Sequence, residues 1–162
     1  MASDNFLFID GIEGESTDDK HKNWIEVSSF SYGVSQMASA ADRSVTGAAA
    51  GHRADFHDLT IEKIVDKSSP KLFLSCAKGE PIKEVTLELC RAGGDKHKYL
   101  EFKMNDVVIT SVSVGGGSDL EPSESVTFNF GKIQVTYIPI GRDGKPAGKI
   151  PVGWDLTANK AM

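Results

Sequence analysis

The sequence predicts a mainly β domain, an antiparallel barrel that is closed or nearly closed and carries one short helix on its side. Three observations favour this fold class. Most segments alternate apolar and polar residues with the two-residue period of strands, and β-branched and aromatic residues are frequent in them. One segment alone has the start and stop signals of a helix. Parity changes inside the longest strands indicate bulges, which bend a sheet towards closure.

The composition is that of an ordinary folded domain with a moderate negative charge. The 162 residues include 18 Lys+Arg and 23 Asp+Glu, which gives a net charge of -5, and 40% of them are hydrophobic. This length predicts one domain over residues 1–162, with a core that needs no disulfide bond. A general nucleic-acid binder would normally be basic, so the charge excludes that class.

The cysteine content predicts a reducing compartment, and the lack of long apolar runs argues against a membrane-spanning helix. Cys76 and Cys90 each lie among apolar residues, so we expect reduced, inert thiols. No apolar stretch reaches the ~20 residues of a membrane-spanning helix. The amino terminus has no basic region before its short apolar run at residues 6–9, so we expect no cleaved signal peptide.

The first elements follow from the alternation. A strand covers residues 6–9, and the charged stretch 14–23 is expected to be a solvated loop in which His21 is a free imidazole. A long strand over residues 24–35 changes parity at a bulge near Ser28-Ser29. After the bulge its inward residues are Phe30, Tyr32 and Val34. The outer row is small and uncharged, with Ser29, Ser31, Gly33 and Ser35.

The middle of the chain contains the longest loop and the helix. Residues 37–53 are rich in Ala, Ser and Gly without a clear period, which predicts a long protruding loop. A strand resumes over residues 54–65. We expect Ser69 to cap a helix that has Pro70 in its first position and ends at Gly79. The apolar face of this helix comprises Leu72, Phe73, Cys76 and Ala77.

Two strands joined by a turn are predicted directly after the helix. The first alternates polar with apolar residues, and its buried face comprises Val85, Leu87 and Leu89. A turn at residues 92–95 leads to a strand over residues 99–114. This second strand has an irregularity at Asp106, and its later inward residues are Val108, Val112 and Val114.

A further strand and a docked tail complete the domain. Residues 115–118 predict a flexible loop, and the following strand changes parity at Gly131, where we expect a bulge. The tail, residues 149–162, contains a final strand docked on the domain. Its apolar residues are Ile150, Val152, Trp154 and Leu156.

The motifs of common enzymes and cofactor sites are missing from the sequence. No glycine run has both the Ser or Thr after Lys and the following helix that a phosphate-binding loop needs. His52, Asp55, His57 and Asp58 are of zinc-ligand type, but the two histidines have opposite parity in a strand, so solvated residues are expected. We therefore predict no enzyme activity, no catalytic residues, no cofactor and no metal.

Several segments resemble one known family. They include GES-x-D-x-x-H at residues 14–21, DKSSP before the helix, ESVTFNFGKIQVTY and GWD at residues 153–155. These segments run in order from Asn5 to Lys160, and residues 37–52 depart most from the family pattern. On these motifs the sequence resembles the haemolysin-coregulated proteins (Hcp), the tube subunits of the bacterial type VI secretion system.

The resemblance implies a fold, an assembly and a route out of the cell. The fold is a β-barrel of two sheets with a helix on one side, and six copies form a ring. Rings stack into a hollow tube inside a contractile sheath and below a spike protein. The subunit is carrier and chaperone for small effectors in the lumen. The tube is assembled in the bacterial cytoplasm and is then secreted without signal-peptide cleavage, with no binding of nucleic acid and no membrane insertion.

Two sets of residues are candidates for these roles. A weakly charged wall could hold varied cargo, so the lumen-facing candidates are Ser29, Ser31, Ser35, Ser111 and Ser113. Small side chains allow close approach between stacked rings, which are related by heterologous contacts. The candidates for ring stacking are Ser39, Ala40, Val45, Thr46, Gly47, Ala48 and Ser118.

Two interpretations from other classes stay open at this point. A monomeric barrel that encloses a small apolar ligand would have an internal pocket and no central pore. A barrel enzyme would use His57 with Asp55, and a His57→Ala variant would then lose its activity. The mass of the protein in solution separates the ligand-binding monomer from a ring.

Overall fold

A computed structural model describes residues 3–37 and 53–162, which contain one helix and eleven strands. The prediction of a mainly β domain with one short helix is confirmed. The elements are β1 Ser3–Ile9, β2 Ile25–Val27, β3 Ser29–Ser31, β4 Val34–Ser35, β5 Asp55–Phe56, β6 Leu59–Ile64, α1 Ser69–Lys78, β7 Pro81–Arg91, β8 Lys98–Gly117, β9 Leu120–Tyr137, β10 Ile150–Asp155 and β11 Lys160–Ala161.

Nine strands form one antiparallel sheet that is not closed into a barrel. Its order is β11-β10-β9-β8-β7-β1-β2, and β6 pairs with the first half of β9 and with β3. The sheet stays open between β2 and β6, which do not pair as strands. Here the Ser28 N–H, between β2 and β3, donates a single hydrogen bond of 2.8 Å to the Glu62 carbonyl. The expected barrel closure is wrong because β2 and β3 pair with different strands, so no continuous strand seals this side.

The strands predicted over residues 24–35 and 54–65 are each divided. The first breaks at Ser28, where the bulge was expected, and again before β4. Among the described strands, β4 pairs with β5 alone, in a separate two-stranded sheet. Phe30 and Tyr32 pack against the core as predicted. Val34 is 53% exposed, so its predicted inward direction is wrong, since it has left the large sheet.

β8 and β9 form the longest hairpin, and both change inward parity at the same level. Asp106 adopts φ 54°, which Asp tolerates better than most residues, and its Cβ would lie 3.1 Å from a Cβ at Gly131. The register is the same before and after this level, with the pairs Asn105–Lys132 and Val107–Phe130. The predicted parity change at Gly131 is correct, but it is not a bulge, because neither strand has an extra residue there.

This paired irregularity changes which residues of β8 reach the core. Val107 and Ile109 are 0% and 1% exposed, so they, rather than Val108, continue the buried face. A register shift after Ile109 then returns Val112 to a position against the core. Val114 is 59% exposed, and its predicted inward position is wrong.

The helix begins and ends close to the predicted residues, with a different cap. Ser68 occupies the N-cap position without a side-chain capping bond, and the Ser69 hydroxyl accepts a 3.0 Å hydrogen bond from the Asp66 N–H. Gly79 ends the helix in the left-handed conformation, as expected. In the described part of the chain, no helix has the length and apolar character to span a membrane.

The face that α1 buries is narrower than predicted. Leu72 is 0% exposed and Cys76 packs against the core, whereas Phe73 is 68% exposed. Ser75 lies on the buried face in its place. Ala77 is also exposed, so the predicted inward positions of Phe73 and Ala77 are wrong.

The tail docks at the sheet edge, as predicted. β10 pairs with the end of β9, and the Trp154 ring stacks near Phe56 with centroids 6.2 Å apart. Ile150 and Val152 are 58% and 63% exposed, whereas Leu156 packs against the core, so only the second half of this alternating row is docked. Residues 115–117 belong to β8 rather than to a flexible loop.

Candidate interaction surfaces

Small hydroxyl side chains form one exposed face across four strands, β3, β6, β9 and β8. The strand registers align two rows on this face, Ser31–Thr60–Thr127–Ser111 and Ser29–Glu62–Ser125–Ser113. We call these residues, apart from Glu62, the hydroxyl face. Its members are Ser29, Ser31, Thr60, Ser111, Ser113, Ser125 and Thr127. Four of the five predicted lumen-facing serines are thus brought together.

The direction of the hydroxyl face follows from strand alternation. The row between its two rows is apolar and points the other way, with Ile61 and Val126 both 0% exposed and Phe30 packed on the core. Since successive side chains point to opposite faces, burial of this apolar row forces the hydroxyls outward.

Hydrogen bonds tie the hydroxyl face together at one end. The Thr60 and Thr127 hydroxyl oxygens are 3.2 Å apart, and Asp58 accepts bonds from the Thr110 hydroxyl at 3.3 Å and the Asn129 amide at 2.9 Å. Hydroxyl groups both donate and accept hydrogen bonds without a net charge. Such a wall can make many weak contacts without selecting one ligand.

Ser35 and the predicted stacking residues lie elsewhere. Ser35 pairs with Asp55 in the two-stranded sheet, and its hydroxyl is 3.4 Å from His57 Nε2, so it does not join the rows. Ser118 is exposed in the turn between β8 and β9. The other stacking candidates fall outside the described residues, and these are Ser39, Ala40, Val45, Thr46, Gly47 and Ala48.

His21 is buried and paired, which corrects the prediction of a free imidazole in a solvated loop. It is 5% exposed, with Nδ1 2.7 Å from Asp18 Oδ2 and Nε2 3.2 Å from Glu88 Oε2. Its ring stacks on Phe6 at 4.2 Å between centroids. Hydrogen bonds from His21 and Lys96 lower the pKa of Asp18 to about 2. We call the group of His21, Asp18 and Glu88 the His21 clamp.

The two charged loops that were expected to be solvated are joined to each other. Lys96 Nζ lies 3.0 Å from Asp18 Oδ1, and Lys20 Nζ donates a 3.0 Å hydrogen bond to the Asp95 carbonyl. The Asp18 carboxylate raises the pKa of Lys96. The clamp and these bonds hold the loop after β1 against the turn between β7 and β8.

Gly14 allows this loop to fold closely onto the start of β2. A Cβ at Gly14 would lie 2.5 Å from the Trp24 carbonyl oxygen and 2.6 Å from the Ile25 Cα. Ser16 N–H donates to the same Trp24 carbonyl at 3.0 Å, and the Ser16 hydroxyl accepts from the Asp18 N–H at 3.2 Å. The GES-x-D-x-x-H spacing was the sequence signal for the clamp, and its Asp and His meet within one turn.

A fully buried ion pair was missed by the sequence analysis. Lys63 and Glu124 side chains are both 0% exposed and in direct contact, and Lys63 Nζ is also 3.0 Å from Asp66 Oδ1. The two residues are directly paired between β6 and β9, in line with the buried pairs Leu59–Phe128 and Ile61–Val126. The period-two pattern of β6 placed Lys63 inward, and this was the available signal.

Both cysteines are free thiols. Cys90 is buried, and this burial raises the pKa of its thiol to about 11, whereas Cys76 is half-buried on α1.

The residues of the alternative active site are not arranged as a pair. His57 Nε2 lies 3.4 Å from the Ser35 hydroxyl rather than next to Asp55. Over residues 3–37 and 53–162, no group of three His, Cys, Asp or Glu residues is arranged to hold a metal ion. His52 lies outside these ranges.

A ligand enclosed by the sheet would need space that side chains occupy. Phe128 and Met104 are 0% exposed and Phe102 is 5% exposed, and all three pack between the curved halves of the sheet with the rest of the core. Protein interiors are packed to the density of organic crystals, which leaves little free volume. The alternative of an enclosed apolar ligand has no support in this packing.

Comparison with known proteins gives a consistent result. The family model described as "Type VI secretion system effector, Hcp" matches residues 6–137. Protein hcp1 of Pseudomonas aeruginosa is 35% identical over 162 aligned positions, which cover 98% of each chain.

Solved structures with related sequences share the fold over 94–100% of this chain. One described as a type six secretion system protein has a TM-score of 0.90 and 34% identity, covering 99% of this chain and 100% of that chain. Hcp1 from Salmonella typhimurium has a TM-score of 0.81 and 34% identity, with 100% of both chains covered. An effector of the type VI system from Yersinia pestis has a TM-score of 0.76, 32% identity and coverage of 94% and 99%.

Proposed function

The chain belongs to the Hcp family of type VI secretion proteins, and we propose that six copies form a ring whose stacked copies make the hollow tube of that system. In this proposal the subunit has no enzyme activity. It assembles in the bacterial cytoplasm, contacts sheath and spike proteins, and is secreted with the tube without cleavage of a signal peptide. Small effectors are carried, and chaperoned, in the lumen.

The hydroxyl face is the observation that carries this proposal. It is broad, and Glu62 is the one charged side chain in its two rows, although the chain as a whole carries a net charge of -5. Six such faces around a common axis would give a wall of hydroxyl groups. A wall of this kind suits passengers of different sequence, because most of its side chains offer hydrogen bonds without a fixed charge and Glu62 adds one carboxylate per subunit.

Mass in solution tests the ring. Light scattering on a sizing column should give a species of six times 17.4 kDa, about 104 kDa, with ring-shaped end views in negative stain. A monomer of 17.4 kDa across a wide concentration range would refute the proposal.

Energy transfer between identical dyes tests whether the hydroxyl face lines the lumen. In a Cys76→Ala background, one dye is attached at Ser111→Cys and, in a control protein, at Lys71→Cys on exposed α1. Residues that line a ring lie nearest its axis, so assembled Ser111→Cys should show the stronger fluorescence depolarisation. Equal or weaker depolarisation at residue 111 would show that this face does not line the lumen.

A further inference from the structure

An acidic groove lies where β2, β6 and the start of β9 come together. It has a volume of about 310 Å³, and its carboxylate lining comprises Glu15, Glu26, Asp66 and Glu121. Apolar side chains form part of the same wall, and two of them are well exposed, Ile64 at 44% and Val65 at 37%. The groove therefore offers negative charge and apolar surface together.

Most of the negative charge in this groove is not neutralised within the subunit. Asp66 is paired with Lys63, but Glu15, Glu26 and Glu121 form no ion pair with any of the described residues. These carboxylates are also not arranged to hold a metal ion in that part of the chain. The chemistry that fits is a cationic side chain on an aliphatic stem next to further apolar residues.

The same chain presents such a segment at the opposite edge of its sheet. We call residues 149–152 the basic edge segment. Lys149 is exposed, and Ile150 and Val152 are 58% and 63% exposed. β11 covers β10 only at Trp154 and Asp155, so the outer edge of the basic edge segment has no neighbouring strand among the described residues.

The groove and the basic edge segment lie at opposite ends of β9 and at opposite ends of the strand order. The groove includes Glu121 at the start of β9, whereas Ile150 pairs with Tyr137 at the end of β9. Sixteen residues of strand separate these two positions, which corresponds to roughly 50 Å along an extended chain. Two different and complementary patches on opposite ends of one subunit are the requirement for a heterologous contact between copies.

We propose that the acidic groove of one copy binds the basic edge segment of a second copy, in a head-to-tail contact. This inference rests on the proposed self-assembly and names the surfaces that carry it. Lys149 of one subunit lies among Glu15, Glu26 and Glu121 of the next, while Ile150 and Val152 cover the apolar wall of the groove. The contact repeats around the assembly, because every subunit presents both surfaces.

Charge exchange tests this contact. Lys149→Glu and Glu26→Lys are prepared singly and together, and the protomer concentration at half-assembly is measured by light scattering. Each single substitution places like charges in contact and should raise that concentration about tenfold or more. Added to Lys149→Glu, however, Glu26→Lys gives the new carboxylate one opposite charge beside the remaining Glu15 and Glu121, so it should lower that concentration relative to Lys149→Glu alone. This reversal of the effect of Glu26→Lys is the signature of a direct contact. Lys71→Glu and Glu13→Lys, which are exposed and outside both surfaces, serve as charge-matched controls.

The outcomes separate this inference from the proposed function. Circular dichroism first shows that each variant is folded. If the wild type assembles while the single variants assemble equally well, or if the double variant is no better than Lys149→Glu, the proposed contact is wrong and self-assembly stands. If the wild type stays monomeric at all concentrations, self-assembly itself is refuted, together with this contact.

Discussion

The buried Lys63–Glu124 pair provides the sharpest test of the core. Lys63→Met removes the cation and leaves Glu124, which is 2% exposed, with the Ser69 hydroxyl as a remaining hydrogen-bond donor. Breaking a buried pair from one side costs about 3–5 kcal/mol, because the other charge stays buried without compensation. For a domain of this size each kcal/mol corresponds to roughly 2–4 °C, so Tm should fall by roughly 6–20 °C.

The double variant Lys63→Met/Glu124→Leu is the matched control. With both charges replaced by apolar groups of similar volume, stability should return to within about 1 kcal/mol of wild type or exceed it. Asp66 keeps its bonds to the Ser68 backbone and hydroxyl in both variants. Urea unfolding at one fixed protomer concentration measures the free energies, since assembly would otherwise change the apparent stability. A double variant as unstable as the single one would refute the reasoning.

Three further predictions address the loop, the acid response and the helix. Gly14→Ala should lower the free energy of unfolding in urea by about 1–3 kcal/mol, because the new Cβ would overlap backbone atoms. Gly115→Ala is the control and should leave that free energy unchanged, because no atom lies within 4 Å of a Cβ there. Equal losses in the two variants would contradict the close approach at Gly14. The pKa of Asp18 is lowered from 3.8 to about 2, so the stability that its ionised form provides is complete above about pH 4 and is lost as the pH falls towards 2. In Asp18→Asn, the unfolding midpoint should therefore fall less steeply between pH 5 and pH 2 than in the wild type. An unchanged pH dependence would refute this role of Asp18. Leu72→Ala should lower the free energy of unfolding by about 2–5 kcal/mol, whereas Phe73→Ala should lower it by less than about 0.5 kcal/mol, as measured by thermal unfolding. Similar losses in both variants would show that the buried face assigned to α1 is wrong.

Strand alternation predicted much of the fold because it reports burial directly. It identified the break at Ser28, the inward rows of β7 and the parity change at Gly131. It failed at Val108, because the paired irregularity at Asp106 and Gly131 makes Val107 and Ile109 the buried residues of β8. It failed at Val114 for another reason, since Val114 has the parity of Val112 but is 59% exposed near the end of the hairpin. Barrel closure failed for a related reason, since it depends on which strands pair across a gap.

The candidate surfaces were predicted unevenly. Ser29, Ser31, Ser111 and Ser113 were grouped by residue type alone, and the registers of β3, β6, β9 and β8 bring them to one face. His21 and Lys63 were missed because composition treats charged residues as solvated. Both are buried against carboxylates that are 67 and 61 positions away in the sequence, and such pairings arise only from tertiary structure.

The paired irregularity at Asp106 and Gly131 limits how this hairpin can change in length. Deleting one residue from either strand would shift every later side chain to the opposite face and exchange the hydroxyl face with the core. Length changes are therefore tolerated only where no ladder continues beyond them, at the two-residue tip formed by Ser118 and Asp119. A peptide tag or reporter inserted at that tip would leave the register of both strands intact, and its effect on assembly would report whether Ser118 takes part in stacking.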